Sequence, residues 1–290
     1  MEHKISYVVI TPVRDEEKYI GKTIEAMASQ TVLPAQWIIV DDGSTDSTGD
    51  IIDAAAKKHA WIKTVHRANR GFRKNGGGVI EAFYDGYTVL TSKDFDFIIK
   101  LDGDLSFKPD YFERCFEKFG KNQRLGIGGG IITSVFESQT IVEGSPRFHV
   151  RGATKIYRKA CWNDIDHLIK APGWDTLDEV KANMKGWSTE SFQDLGLVQH
   201  KMTGSADGSW NNWVKNGLAN YISGYHPLFM LFKCIKRLPN KPRVIAAVGL
   251  MWGFCLGYIK RTPQVNEPDL IAYLRKEQIK KLLLKKSIWQ

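Results

Sequence analysis

Apolar and polar residues follow two periods along the first two hundred positions. Short apolar runs of strand length at 5–10, 37–40, 62–66 and 97–101 each end in polar or turn-forming residues. Between them, apolar positions recur three and four residues apart: Ile20, Ile24, Met27 and Ala28, then Ile51, Ile52, Ala55 and Ala56, then Val79, Ala82, Phe83 and Gly86. Strands alternating with helices predict an α/β chain with a mostly parallel, doubly wound sheet, its function at the carboxyl ends of the strands. Asp15 is expected to cap the first helix. Further helices are predicted after Pro109, from Gly152 through Trp162, and up to Gly186-Trp187. Residues 125–136 read as β-like and 198–201 as a last short strand.

From about Ser209 the pattern changes, which divides the chain into 1–208 and a helical region, 209–290. Trp210, Trp213, Tyr221, Tyr225 and Trp252 are scattered through apolar sequence, and residues 244–259 carry no charge. That stretch is shorter than the roughly 20 apolar residues a spanning helix needs. It reads as a re-entrant or interfacial segment, or as a buried core helix. The tail from Asp269 reads as an amphipathic basic helix that either meets lipid or covers the preceding domain's own hydrophobic surface. Lys241, Arg243, Lys260 and Arg261 beside aromatic residues favour peripheral contact with an anionic membrane at its cytoplasmic face.

Composition adds three constraints. A 290-residue chain with 43% hydrophobic and 25% charged residues can bury a real core, which excludes disorder. The net charge of +9 attracts anions such as nucleotides or acidic headgroups. No nucleic-acid module is recognisable, and the oligomeric state is left open. Four scattered cysteines and no secretory pattern at the start suit a reducing cytoplasm.

Candidate chemistry lies at three of the predicted strand ends. Asp102-Gly103-Asp104 closes the fourth apolar run. Two carboxylates one residue apart, with a glycine to permit a sharp turn, suit Mg²⁺ or Mn²⁺ carrying a diphosphate; alone, the triplet reads equally as an Asp-Gly turn. Asp41-Asp42-Gly43-Ser44-Thr45-Asp46 closes the second run and is rich in helix caps. Residues 67–78, RANRGFRKNGGG, set Arg70, Arg73 and Lys74 among glycines before a helix, an arrangement that suits a phosphate. Gly21-Lys22-Thr23 lacks the glycine a phosphate loop requires five residues earlier.

Taken in order and spacing, Ile10-Thr11-Pro12-Val13-Arg14-Asp15-Glu16-Glu17, the Asp41–Asp46 loop and Asp102-Gly103-Asp104 resemble the family 2 glycosyltransferases. The resemblance implies a GT-A fold and a metal-dependent, inverting transfer of a sugar from a nucleotide-diphosphate donor to an acceptor hydroxyl. The acceptor it suggests is a lipid-linked saccharide or a surface polysaccharide. It also implies roles for single residues. Thr11, Pro12, Arg14 and Glu16 would line the base and ribose pocket, with Gly43 beside them, and Asp41 would accept a hydrogen bond from the base. Asp102, Gly103 and Asp104 would hold metal and ribose. Arg70, Arg73 and Lys74 would meet the diphosphate, and His200 would close on the metal. The family's Glu-Asp pair, about eleven residues before Gly plus an aromatic, aligns with Trp174-Asp175 ahead of Gly186-Trp187. Asp175 is therefore the first candidate for the base and Asp178 the second. A nucleotidyltransferase would show glycines after the first strand, where Thr11 to Arg14 has none. A non-catalytic nucleotide-sugar-binding relative is the other alternative.

Overall fold

The structure is a computed structural model that describes residues 5–72, 76–136, 139–142, 146–201, 209–239 and 243–289. Its first half alternates as the periodicity requires: β1 (Tyr7–Val13), α1 (Ile20–Ala28), β2 (Gln36–Asp41), α2 (Thr48–Lys58), β3 (Ile62–His66), α3 (Gly77–Thr88) and β4 (Phe97–Leu101). β1, β2 and β4 are apolar on both faces because both faces are covered. Tyr7, Val9 and Val13 pack with Met27 of α1 and Ile52 of α2. Val8, Ile10, Ile38 and Val40 pack with Ile80 and Phe83 of α3 on the other side.

The next elements are β5 (Leu105–Phe107), α4 (Tyr111–Lys121), β6 (Leu125–Phe136), β7 (Gln139–Val142), β8 (Thr154–Arg158), α5 (Lys159–Ile165), α6 (Trp174–Met184) and β9 (Ser188–Gln199). Among the described residues the sheet runs β3-β2-β1-β4-β8-β6-β9-β5, with β7 paired to β6. The half from β3 to β4 is parallel, as is the β6–β9 pair, while β8 is antiparallel to both β4 and β6 and β5 is antiparallel to β9. The sheet is therefore mixed, where a mostly parallel one was expected. The helix expected from Gly152 is instead strand β8 followed by the short α5. Thr154, Ile156 and Tyr157 favour an extended backbone, and β8 is buried between two strands from Thr154 to Tyr157. The last strand is also much longer than 198–201, beginning at Ser188.

Among the described residues four helices follow: α7 (Ser209–Ile222), α8 (Pro227–Arg237), α9 (Arg243–Ile259) and α10 (Pro268–Leu282). α7 and α9 pack closely because Gly217 and Gly253 sit where a Cβ would strike the partner helix's backbone. Leu270 and Leu274 of the basic tail helix α10 are buried with Leu177 and Val180 of α6. Of the two readings of the tail, the structure selects the one in which it covers the domain's own surface. Among the described residues no helix is long and apolar enough to cross a membrane.

Candidate active site

The loops after β1 and β2 are laced together. Asp15 does not cap α1. Its backbone has φ +52, and its carboxylate accepts from Thr45 N at 2.9 Å, tying one loop to the other. Asp46 closes the turn that leads into α2, accepting from Thr48 N at 3.0 Å. Gly43 has φ +74, and a Cβ there would lie 2.5 Å from Asn69 Cα, so only glycine fits between the loops. Arg14 donates to Asn69 Oδ1 at 3.0 Å and to the Phe72 carbonyl at 3.2 Å, so it braces the basic loop.

Asp41, at the end of β2, is nearly buried. It accepts from Ser44 N at 2.8 Å and faces His66 Nδ1 at 3.2 Å. His66 also faces Asp53 at 3.0 Å; that bond first, then Asp41, raises the imidazole above its ordinary pKa despite partial burial. Asp42 pairs with Arg67 and Arg70, and Arg70 reaches on to Glu81 at 3.5 Å. The basic segment thus folds its arginines onto the Asp42 loop. Arg70 Nε is buried without a hydrogen-bond partner among the described residues. Arg73 and Lys74 lie outside the described residues. Thr11 does not line the crevice: it is fully buried, and its hydroxyl accepts from Trp37 Nε1 at 2.8 Å. Pro12, half-buried, stands beside Val40 in the parallel register.

The corner at the end of β4 is built by close packing. Gly103 is not in a left-handed conformation; a Cβ there would lie 2.5 Å from Val13 Cγ1, so the glycine lets the turn press onto β1. Asp104 is 5% exposed and accepts from Gln199 Nε2 at 3.1 Å. Burial, then the Asp102 carboxylate, then Glu16, push its carboxyl up to about 7. An acid held near neutrality by neighbouring carboxylates is what a divalent cation relieves. Two carboxylates supply hard oxygens of the kind that fit Mg²⁺ or Mn²⁺. Among the described residues no group of three or more His, Cys, Asp or Glu side chains is placed to share a metal. His200 lies beside this corner. Its Nε2 is 2.9 Å from Ser106 Oγ, its ring stacks on Tyr19, and its backbone N–H donates to the Asp104 carbonyl. Lys201, the next residue, donates to Glu16 Oε1 at 2.6 Å.

Two lysines link this corner to α6. Lys100 and Lys155 are cross-strand partners in the antiparallel β4–β8 pair. The Lys100 ammonium binds Asp102 and donates to the Gly152 carbonyl at 2.6 Å. The Lys155 ammonium binds the Asp175 carbonyl, Asp178 at 2.7 Å and Glu179 at 3.0 Å. Both stand over the Trp174 ring, at 5.6 and 5.5 Å from its centroid. Trp174 thus gives two cations a π-face at the position where the resemblance leads one to expect glutamate. Asp175 follows it and lies against Gly152; its Cβ is 3.3 Å from where a Gly152 Cβ would stand. Burial raises its pKa, but His149, Lys155, Arg151 and Lys100 outweigh burial and hold the carboxyl below its ordinary value. Asp178 cannot meet an acceptor. It is 2% exposed, enclosed by Lys155 and the Tyr157 hydroxyl, and pushed up to about 7 by burial and by Glu179. Glu179 is as deeply buried, accepting from Val150 N and facing His149.

The sequence alone pointed to the carboxylates but not to Lys100 or His66. A signal was present for the first: one lysine inside a run apolar on both faces is rarely solvated and must find partners.

A sequence model of the family described as Glycosyl transferase family 2 matches residues 8–169, more than half of the chain. Among curated proteins, the uncharacterized glycosyltransferase EpsJ of Bacillus subtilis is 28% identical over 134 residues, 46% of this chain and 36% of its own length. The chondroitin synthase of Pasteurella multocida is 27% identical over 124 residues, 42% of this chain and 12% of its own. The chain therefore matches about a third or less of the length of these relatives. Among solved structures, the mannosyltransferase PcManGT of Pyrobaculum calidifontis, in complex with GDP-Man and Mn²⁺, aligns at TM-score 0.59 and 14% identity. The alignment covers 98% of this chain and 89% of that one. Residues 1–349 of TarS from S. aureus, in complex with UDP-GlcNAc, align at TM-score 0.53 and 18% identity, covering 95% and 81%. These likenesses give the fold, GT-A. With paired loops at the ends of β1 and β2 and a two-carboxylate corner at the end of β4, the chain belongs to glycosyl transferase family 2.

Proposed function

We propose that the protein transfers a sugar, with inversion, from a nucleotide-diphosphate donor to an acceptor hydroxyl. Residues 1–208 would form the catalytic domain and 209–290 a helical region that meets the membrane. The observation that carries this reading is the continuous path from Asp102 through Lys100 and Gly152 to Asp175. On this reading the path would join a diphosphate corner at Asp102 to an ionised carboxylate at Asp175.

Asp41, Glu16, Arg14 and the Gly43 turn hold the nucleoside end, with Pro12 on the crevice wall. Arg70 lies one ion pair away from that loop, on Asp42, and turns to the diphosphate. Asp102 and Asp104 would hold a divalent cation, whose positive charge would stabilise the departing diphosphate. Asp175 takes the proton from the acceptor hydroxyl. Its low pKa keeps it ionised at neutral pH, and its place on the first turn of α6 brings it toward the crevice. Asp178 and Glu179 anchor that turn through Lys155. The acceptor we propose is a lipid-linked saccharide or growing polysaccharide at the cytoplasmic face of an anionic membrane. The basic, aromatic character of 209–266 and polysaccharide-making relatives such as chondroitin synthase support it.

The test is a thermal-shift panel of nucleoside diphosphates and nucleotide sugars, with and without Mn²⁺. A ligand bound only by the native state at a hundred times its Kd stabilises by about 2.7 kcal/mol. One nucleotide series is expected to raise the midpoint, and more so with Mn²⁺. No shift with any nucleotide would overturn the donor reading.

A further inference from the structure

Helices α8 and α9 are apolar on two opposite faces. Their inner faces, with Met230 and Cys234 on α8 and Ala247, Leu250 and Phe254 on α9, are buried in the C-terminal core with α6 and α10. Their outer faces carry Leu228, Leu231, Phe232 and Ile235 at helical spacing on α8, and Val244, Val248 and Trp252 on α9. These side chains are 44–59% exposed. A surface helix normally presents charge outward, and one apolar all round is covered by something. In α9 the glycine stripe is already used against α7 and Trp213, so the outer stripe is what has no partner.

We infer that this outer α8–α9 face is a monotopic docking surface for an anionic lipid bilayer. Two features choose lipid over another occupant. The first is charge: residues 209–266 contain eight Lys and Arg and no Asp or Glu, although the chain has 32 acidic residues. Lys236 at the end of α8, and Lys260 and Arg261 at the end of α9, are exposed beside the apolar stripes, where headgroup phosphates would meet them. The second is length: α9 has seventeen residues, too few to span but enough to lie in the interface. The basic tail helix α10 is not the docking element, because Leu270 and Leu274, on its apolar side, are buried against Leu177 and Val180 of α6.

The face is joined to the proposed chemistry. Tyr225, two residues before α8, is buried in the same core as Leu177 of α6, and its hydroxyl lies near Thr176, the residue after Asp175. Gly173, before α6, sits against Ser223 Oγ. A bilayer under α8 therefore lies close to the turn that carries Asp175, which suits an acceptor that never leaves the membrane. This consequence rests on the function proposed above; the docking itself does not.

The test is flotation of the full chain with vesicles of phosphatidylcholine containing about 30 mol% phosphatidylglycerol, without donor or metal. The wild type is expected to float with these vesicles and to bind neutral phosphatidylcholine vesicles about tenfold less. Phe232→Glu/Trp252→Glu is expected to lower binding to anionic vesicles at least about tenfold, with unchanged circular dichroism. Val248→Asp is the second variant should the double one aggregate. Three results would overturn the inference: no flotation, equal binding by wild type and variants, or equal binding to neutral and anionic vesicles. A stable wild-type dimer by light scattering that the variants dissolve would also overturn it, assigning the face to a second copy. Because no donor is present, failure here leaves the glycosyl-transfer reading standing, and failure of that reading leaves docking standing.

Discussion

Lys155→Met removes the ammonium that holds the first turn of α6 in place. The side chain is fully buried and touches Asp178 at 2.7 Å, Glu179 at 3.0 Å and the Asp175 carbonyl. Burial alone would lower its pKa, but Asp178 and Glu179 hold it above the ordinary value. Its stabilising contribution is therefore complete below the unfolded value of 10.5 and is lost only as pH rises through the higher folded value. Methionine keeps most of the volume, so the loss is electrostatic. Removing one partner of a buried ion pair costs roughly 3–5 kcal/mol, because the other charge is left uncompensated. With roughly 2–4 °C per kcal/mol for a chain near this size, Tm should fall by about 10 °C. The deficit has a pH dependence of known sign. Asp178 is already pushed from 3.8 up to about 7, so the folded state holds its proton more tightly than the unfolded chain does. Losing Lys155 strengthens that preference, so stability falls as pH rises from about 4 through 7. Thermal unfolding followed by circular dichroism should show a larger deficit at about pH 8 than at about pH 5. Adding Asp178→Asn to Lys155→Met should restore part of the loss. A fall under about 2 °C, or equal deficits at both pH values, would refute this account of the network.

Three further outcomes follow from the site. Gly43→Ala should cost about 1–3 kcal/mol and weaken nucleotide binding, since alanine is strained at φ +74 and its methyl meets Asn69; an unchanged Tm in differential scanning calorimetry would contradict it. His66 has a raised pKa, so its bonds to Asp53 and Asp41 stabilise below the unfolded value of 6.5 and are lost as pH rises through the folded value. His66→Gln should accordingly lower Tm more at about pH 6 than at about pH 8, by under about 1 kcal/mol for so exposed a group; equal losses would count against the pairing. Asp104→Asn should abolish the Mn²⁺-dependent part of the nucleotide thermal shift and leave the metal-free part, while a shift that still responds to Mn²⁺ would exclude Asp104 as a ligand.

The parallel half of the fold was legible because each apolar run is buried on both faces and each helix shows one stripe; β1, β2, β3 and β4 fall where the runs predict. The mixed half was not. β8 contains Lys155 inside Thr154–Arg158, and that charge, solved only by Asp178 and Glu179 twenty residues on, hides a buried strand from any local pattern. The same distance hid the division of labour among the acids of α6. In sequence Asp175 and Asp178 are alike as candidates for the base, and only the enclosure of Asp178 by Lys155 and Tyr157 sets it apart as the anchored one. Gly103 was read for a turn, but its reason is the Val13 side chain pressing on it, a contact between strands. In the C-terminal region the two-sided apolar character of α9 was visible as a run without charge. Which side meets α7 depends on Gly249, Gly253 and Gly257 finding their partners.

The central claim is that Asp175 is the base of a glycosyl transfer. Asp175→Asn keeps the shape of the side chain and removes its ability to take a proton. With the donor series identified by thermal shift and a saccharide acceptor, the account predicts donor affinity within about twofold of wild type and transfer slower by at least about a hundredfold, the contribution of one general base. Turnover near that of the wild type would contradict it.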